Sequence, residues 1–155
     1  MNDAIRVNPA PVLTLWVAVV AERLGHPPDT ALGLAGVVAG TAPPLTDAHH
    51  GATVTLLGRV VPVVSAPDGT PRAAGAAGQP VEVEPLRRYL ARAFGPHLAG
   101  VRAAMEGCAA ALPPEELNRL GLRLYEAFRP DPPATAPGKG TLRLDRIRTA
   151  VAPPA

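Results

Sequence analysis

Aromatic residues are scarce in this chain of 155 residues, which contains two Phe, two Tyr and a single Trp, Trp16. Because 47% of the residues are nonetheless hydrophobic, Ala, Val and Leu must form most of the core. The length suits one domain, or one domain with a tail, and allows a substantial core to be buried.

Cysteine, lysine and net charge are also sparse. Cys108 is the only cysteine, so no intrachain disulfide can form, and we expect a reducing cytoplasmic location. Lys139 is the only lysine, and the formal net charge is +2. So small a charge predicts only weak attraction to nucleic acid.

Apolar runs long enough to cross a membrane are missing from the sequence. The longest runs are interrupted at 22–23 and at 26–29, short of the roughly 20 residues that a spanning helix needs. The first residues show neither the basic region nor the cleavage site of a secretory leader. We therefore expect no membrane association.

The segment 9–40 is the most informative part of the chain and predicts two helices joined by a tight corner. Asn8 suits an N-cap, Pro28 suits a first helical turn, and Gly40 suits a helix end. Both helices are apolar on nearly every face, which is typical of burial in a core or a subunit interface. Trp16 lies on the apolar stripe of the first helix and should be buried.

Glycines inside the second predicted helix indicate close packing. Gly33 and Gly36 each cost about 1 kcal/mol relative to Ala, and together with Gly40 they leave one side of the helix without bulk. Either the first helix or the same helix of a second copy should approach there, and the few polar residues on both helices favour a homo-oligomer. Trp16, Gly33, Gly36 and Gly40 are therefore the predicted helix-packing residues.

The rest of the chain predicts a small β-hairpin followed by three helices. A strand over 53–64 contains Gly58 as a bulge, a turn follows at 67–69, and a return strand is expected at 81–83. Three helices should begin at Glu84, after Gly95-Pro96, and at Pro113-Pro114.

The predicted fold class is α+β and mostly helical, with an N-terminal apolar helix pair, a small β-hairpin, a three-helix segment and a docking tail. Residues 1–128 form one domain, 129–140 a Pro-rich linker, and 141–155 a tail that docks as a strand, a short helix, or both in succession.

Residues 20–32 resemble a helix-turn-helix phrase, and the hairpin after them would imitate a wing. A recognition helix needs base-reading side chains near its N-terminus, and here only Thr30 qualifies. Contacts to phosphate could come instead from basic residues that would otherwise form a solvated surface. They are Arg87, Arg88, Arg92, Arg143, Arg146 and Arg148.

No catalytic, cofactor-binding or metal-binding residue is predicted. Asp47, His49 and His50 lack a third His or Cys nearby, so a solvated loop is the preferred interpretation. His97 and Cys108 share one predicted helix about 16 Å apart along its axis, so they cannot touch. Cys108 is interpreted as a small buried apolar residue.

Four motifs resemble a family of small uncharacterised bacterial proteins, with a match that covers residues 9–148. They are Pro-Val-Leu-Thr-Leu-Trp at 11–16, Leu-Gly-Arg-Val-Val-Pro-Val at 57–63, Leu-Tyr-Glu-x-Phe-Arg-Pro at 124–130 and Gly-Thr-Leu-x-Leu-Asp-Arg-Ile-Arg at 140–148. The motifs are structural in character, so the resemblance implies no activity and no functional residue.

The function predicted from the sequence is a non-catalytic cytoplasmic interaction or scaffold protein that self-associates through the apolar helix pair. One alternative is a DNA-associated regulator with a winged-helix-like domain. Another is a small-ligand-binding protein, or an enzyme without a recognisable motif.

Overall fold

The fold is described by a computed structural model over residues 4–47, 49, 51–132 and 139–150. Its helices are α1 Pro9–Arg23, α2 Pro28–Ala39, α3 Glu84–Phe94, α4 Leu98–Ala110, α5 Pro114–Phe128 and α6 Leu144–Thr149. Its strands are β1 Ala4–Val7, β2 Thr53–Leu56, β3 Arg59–Ser65, β4 Pro71–Ala73 and β5 Gly140–Arg143. The chain is therefore α+β and mostly helical, as predicted.

Helix α1 lies at the centre of the molecule. Ten of its fifteen residues are buried, and it contacts α2, α3, α4 and α5. Helix α2 buries eight of its twelve residues and ends at Gly40, whose φ of 78° suits a glycine. The apolar helix pair thus forms the core of this chain. No helix within the described ranges is long and apolar enough to cross a membrane.

The hairpin turns at a different place from the one predicted. Strands β2 and β3 pair antiparallel through a two-residue turn at Leu57 and Gly58, where Leu56 faces Arg59. The φ angles of Leu57 and Gly58 are 52° and 80°, values typical of a tight hairpin turn. The prediction of one strand with a bulge at Gly58 is therefore wrong. Leu57 tolerates this conformation because its side chain is buried and its N–H donates to Oδ1 of Asn118 at 2.6 Å.

The return strand is also different from the prediction. After the turn at Gly69, β3 pairs with β4, whereas residues 81–83 form no strand. Val81 donates a single backbone hydrogen bond to Ala73 O at 2.8 Å, and its side chain is buried. The alternating sequence at 81–83 reflects this burial rather than a sheet.

The C-terminal tail docks as a strand followed by a short helix. Strand β5 pairs antiparallel with β1, and α6 buries Ile147 completely. Asp131, in the predicted linker, exchanges backbone hydrogen bonds of 2.8 and 2.9 Å with Thr141, in the predicted tail. Residues 133–138 of the linker and 151–155 of the tail lie outside the described residues.

Candidate functional site

Within the chain, the nearest neighbours of Gly33 and Gly36 lie in segments that follow α2 and not in α1. A Cβ added to Gly33 would lie 3.7–3.8 Å from side chains of Ala73, Val81 and Val83. A Cβ added to Gly36 would lie 2.8 Å from Ala42 Cβ. A close approach by later segments of the same chain therefore explains Gly36, whereas the contacts at Gly33 are at ordinary van der Waals distance.

Gly40 has a different role from Gly33 and Gly36. A Cβ there would meet nothing within 4 Å, so its positive φ alone explains the glycine. None of the three glycines therefore calls for a second copy of the chain.

Trp16 is buried, as predicted, and joins α1 to α5. Its side chain is fully inaccessible, its indole Nε1–H donates to Gly121 O at 2.8 Å, and its ring meets Phe128 edge-on at 5.2 Å between centroids. The contact lies inside the chain, so Trp16 stabilises the fold and is not available to a partner.

The helix-turn-helix-like phrase is buried at its two ends, 20–21 and 30–32, whereas the corner between them is partly exposed. Thr30, the one residue with base-reading potential, is 1% exposed, and its hydroxyl donates to Pro71 O at 2.6 Å. Thr30 is therefore not available to read a base edge in this structure.

Three of the six candidate phosphate-contacting arginines bind carboxylates of this chain. Arg87 pairs with Asp29 and Glu84. Both Arg143 and Arg146 pair with Asp131, at 3.5 and 2.7 Å.

The pKa of Asp131 is lowered below its usual range, mainly by the hydrogen bond from Arg146.

Arg88 and Arg92 lie on the exposed face of α3, without an ion pair to any residue that the structure describes, and Arg148 is exposed on α6. The predicted set therefore offers few uncommitted cations.

The first cavity of interest has a volume of about 490 Å³ and lies between the end of α2, the loop after β4 and the start of α3. We call it the Tyr89 cavity. Its lining is mostly small or apolar: Thr41, Ala42, Pro43, Gly75, Ala76, Ala77, Gln79, Pro80, Val81, Glu82, Pro85, Leu86 and Tyr89.

The loop of the Tyr89 cavity is held in place by hydrogen bonds. Gly75 N–H donates to Gln79 O at 2.6 Å, and the Thr46 hydroxyl donates to Ala76 O at 3.0 Å. Gly78 completes the turn with a φ of 77°. Because the loop carries only glycine and alanine at 73–78, its side chains leave the space beside Tyr89 open.

Polar side chains in the Tyr89 cavity are few, and all but that of Thr41 lack a hydrogen-bond partner among the described residues. The Tyr89 hydroxyl, the Gln79 amide and the Glu82 carboxylate form no hydrogen bond with another described residue. Burial raises the pKa of Tyr89, so the phenol is neutral at physiological pH and can both donate and accept. The Thr41 hydroxyl is already bonded to the hydroxyl of Thr14 at 2.9 Å.

A second cavity, also of about 490 Å³, lies among α1, α2, α3 and α4. Its apolar residues include Leu15, Leu32 and Leu90. Its charged residues are already paired, because Arg102 binds Glu22 and Arg87 binds an aspartate of α2. This cavity therefore has little free hydrogen-bonding capacity for a ligand.

A smaller cavity of about 270 Å³ is also lined by Tyr89, and we call it the basic cleft. Its lining residues are Val7, Asn8, Pro11, Tyr89, Arg92, Ala93 and Lys139. The sequence predicts Arg92 as a phosphate contact, whereas it assigns Lys139 only to the linker. Only the strand pairing of β5 with β1 reveals that Lys139 lies near the start of α1.

The remaining sequence candidates give no reactive centre. Burial raises the pKa of the Cys108 thiol to about 11, so the thiol stays protonated near neutral pH. A ring nitrogen of His49 is 2.9 Å from Ala52 O, and His50 lies outside the described residues. Within the described ranges, no three His, Cys, Asp or Glu side chains are grouped to hold a metal.

Comparison of the chain with protein-family models, with curated proteins and with solved structures found no match. Functional assignment therefore depends on the geometry of the chain itself.

Proposed function

We propose that this protein binds a small, largely apolar molecule in the Tyr89 cavity. The volume of about 490 Å³ lies within the range of roughly 300–1,000 Å³ that is typical of small-molecule sites. Such sites combine apolar walls with a few polar groups that orient the ligand. The observation that carries the proposal is a mostly apolar lining in which the Tyr89 hydroxyl and the Gln79 amide form no hydrogen bond with another described residue.

Self-association through the helix pair has less support from the geometry, because α1 and α2 are covered by the rest of the chain. Among the described residues, the exposed large apolar side chains are Val60, at 65% exposure, and Leu122, at 40%. A stable interface normally buries about 800 Å² on each partner around an apolar centre. Two isolated side chains do not supply such a surface.

The experiment uses a neutral fluorescent apolar probe, 1-aminoanthracene, titrated with the full chain. We expect saturable binding to the wild type and displacement of the probe by 1-octanol, because both molecules transfer apolar surface from water. Ala77→Phe places a ring at the exposed wall of the Tyr89 cavity and should weaken binding by about tenfold or more.

Ala103→Phe is the matched control, because Ala103 is exposed on α4 and does not line the cavity. The control should bind the probe as the wild type does. Absence of saturable binding to the wild type would contradict the proposal. Equal affinities of the wild type and Ala77→Phe would also contradict it, because the ligand would then lie elsewhere.

A further inference from the structure

The basic cleft contains positive charge that this chain does not neutralise. Arg92 and Lys139 have no ion pair or hydrogen bond with any residue in the described part of the chain, and none of the described residues that line the cleft is acidic. Other arginines near cavities, such as Arg87 and Arg102, bind carboxylates. Two cations that line one concave surface without a described counter-charge favour an anion there.

The start of α1 adds to this preference. Asn8 is the N-cap of α1, but its side chain forms no capping hydrogen bond, so its amide remains available as a donor. Pro9 and Pro11 have no N–H, and the backbone alone therefore offers few donors at this helix end. The positive end of the helix dipole also lies at this position.

Tyr89 belongs to the lining of both the basic cleft and the Tyr89 cavity. Because the two cavities share this residue, a molecule with its apolar body in the Tyr89 cavity can extend a charged group toward the basic cleft. Glu82 defines the direction, because its carboxylate lines the Tyr89 cavity and repels an anionic group at that end. Tyr89 lines both cavities, and its neutral hydroxyl can donate to an anion.

We infer that the ligand is an amphiphilic carboxylic acid, with its apolar body in the Tyr89 cavity and its carboxylate in the basic cleft. The carboxylate accepts from the Arg92 guanidinium and the Lys139 ammonium, and a planar guanidinium suits the two oxygens of a carboxylate. This inference rests on the proposed function, since it names the chemical class of the molecule that binds the Tyr89 cavity.

The test compares octanoate with 1-octanol, which have the same chain length and differ in the head group. Calorimetric titration near neutral pH and at low salt should show octanoate binding about five- to tenfold more tightly, because two exposed cations attract the carboxylate. The preference should shrink as salt is added. It should disappear when Arg92→Gln and Lys139→Gln are combined, while octanol affinity stays unchanged.

Arg88→Gln is the matched control, because Arg88 is one helical turn before Arg92 and does not line the cleft. This variant should keep the preference for octanoate. Equal affinity of the wild type for both compounds would overturn the inference and leave the proposed function intact. A preference that survives in the double variant would overturn it as well.

Failure of the proposed function gives a different result. If Ala77→Phe binds octanoate as tightly as the wild type, the cleft binds the anion without the Tyr89 cavity. That result would contradict both the proposed function and the inference that rests on it. If neither compound binds the wild type, the proposed function itself is wrong.

Discussion

Trp16→Ala provides the sharpest test of how the core is built. The substitution removes the largest fully buried side chain of the described core, together with a hydrogen bond from α1 to α5 and an edge-on aromatic contact with Phe128. Because the contacts of Trp16 lie in sequence-distant elements, the loss should affect the whole fold rather than one helix.

The magnitude follows from the contacts that are lost. Emptying a large aromatic site in a core typically costs about 3–5 kcal/mol, and the lost indole hydrogen bond contributes about 1 kcal/mol of the destabilisation. We expect the free energy of unfolding to fall by about 4 kcal/mol, a large share of the roughly 5–15 kcal/mol that stabilises a typical domain. Trp16→Phe keeps a ring against Phe128 and should lose only about 1–3 kcal/mol.

The assay is urea denaturation followed by far-ultraviolet circular dichroism, because Trp16 is the only tryptophan and its fluorescence is lost in both variants. Trp16→Phe remains measurable even if Trp16→Ala does not fold. If Trp16→Ala folds and its free energy of unfolding falls by less than about 1 kcal/mol, the reasoning is refuted, since the loss of a fully buried tryptophan should destabilise the fold by more than that.

Two further perturbations test packing and charge. Gly36→Ala should destabilise the fold by about 1–3 kcal/mol, although alanine favours a helix more than glycine does, because the new Cβ would lie 2.8 Å from Ala42 Cβ. In Gly107→Ala, the new Cβ would meet nothing within 4 Å, so this variant should be more stable than the wild type by about 0.5–1 kcal/mol. Urea midpoints of the two variants decide this, and a Gly36→Ala variant as stable as the wild type would contradict the close packing. Because Arg146 lowers the pKa of Asp131 in the folded chain, this pair should stabilise the fold above about pH 4 and lose its effect as pH falls through the lowered pKa. The urea midpoint of the wild type should therefore exceed that of Asp131→Asn near neutral pH and approach it in acid, and a difference independent of pH would contradict the assignment.

The helices were predictable because local signals mark their ends. Prolines lie in the first turns of α1, α2, α3 and α5, and Gly40 ends α2. Apolar residues between these signals gave the buried faces, including Trp16 and Phe128. Such features depend on neighbours within a few residues, so they are visible in one sequence.

The strands were harder to predict because their partners are distant. Strand β1 has only four residues, and its partner β5 begins at Gly140, so nothing near Ala4 indicates the pairing. The hairpin turn was missed because Leu57 adopts a positive φ that asparagine or glycine usually adopts. Contacts with α5 permit this conformation, and they are invisible in the local sequence.

The candidate site contains features that the local sequence indicates and others that depend on distant parts of the chain. The outward direction of Arg92 and the inward direction of Tyr89 follow from the periodicity of α3. The Tyr89 cavity cannot be predicted from this periodicity, because the end of α2, the loop at 75–82 and α3 meet only in the folded chain. Lys139 joins the basic cleft through the docked tail, which no periodic pattern reveals.

Amide chemical-shift mapping of the full chain with octanoate tests the central claim most directly. We predict that the largest shifts occur at Gly75, Gln79, Val81 and Tyr89, which line the Tyr89 cavity, with further shifts at Arg92 beside the carboxylate. The account would be contradicted if the largest shifts occurred instead in the cavity among the helices, at Leu15, Leu32, Leu90 and Leu98. It would also be contradicted if no saturable shifts appeared.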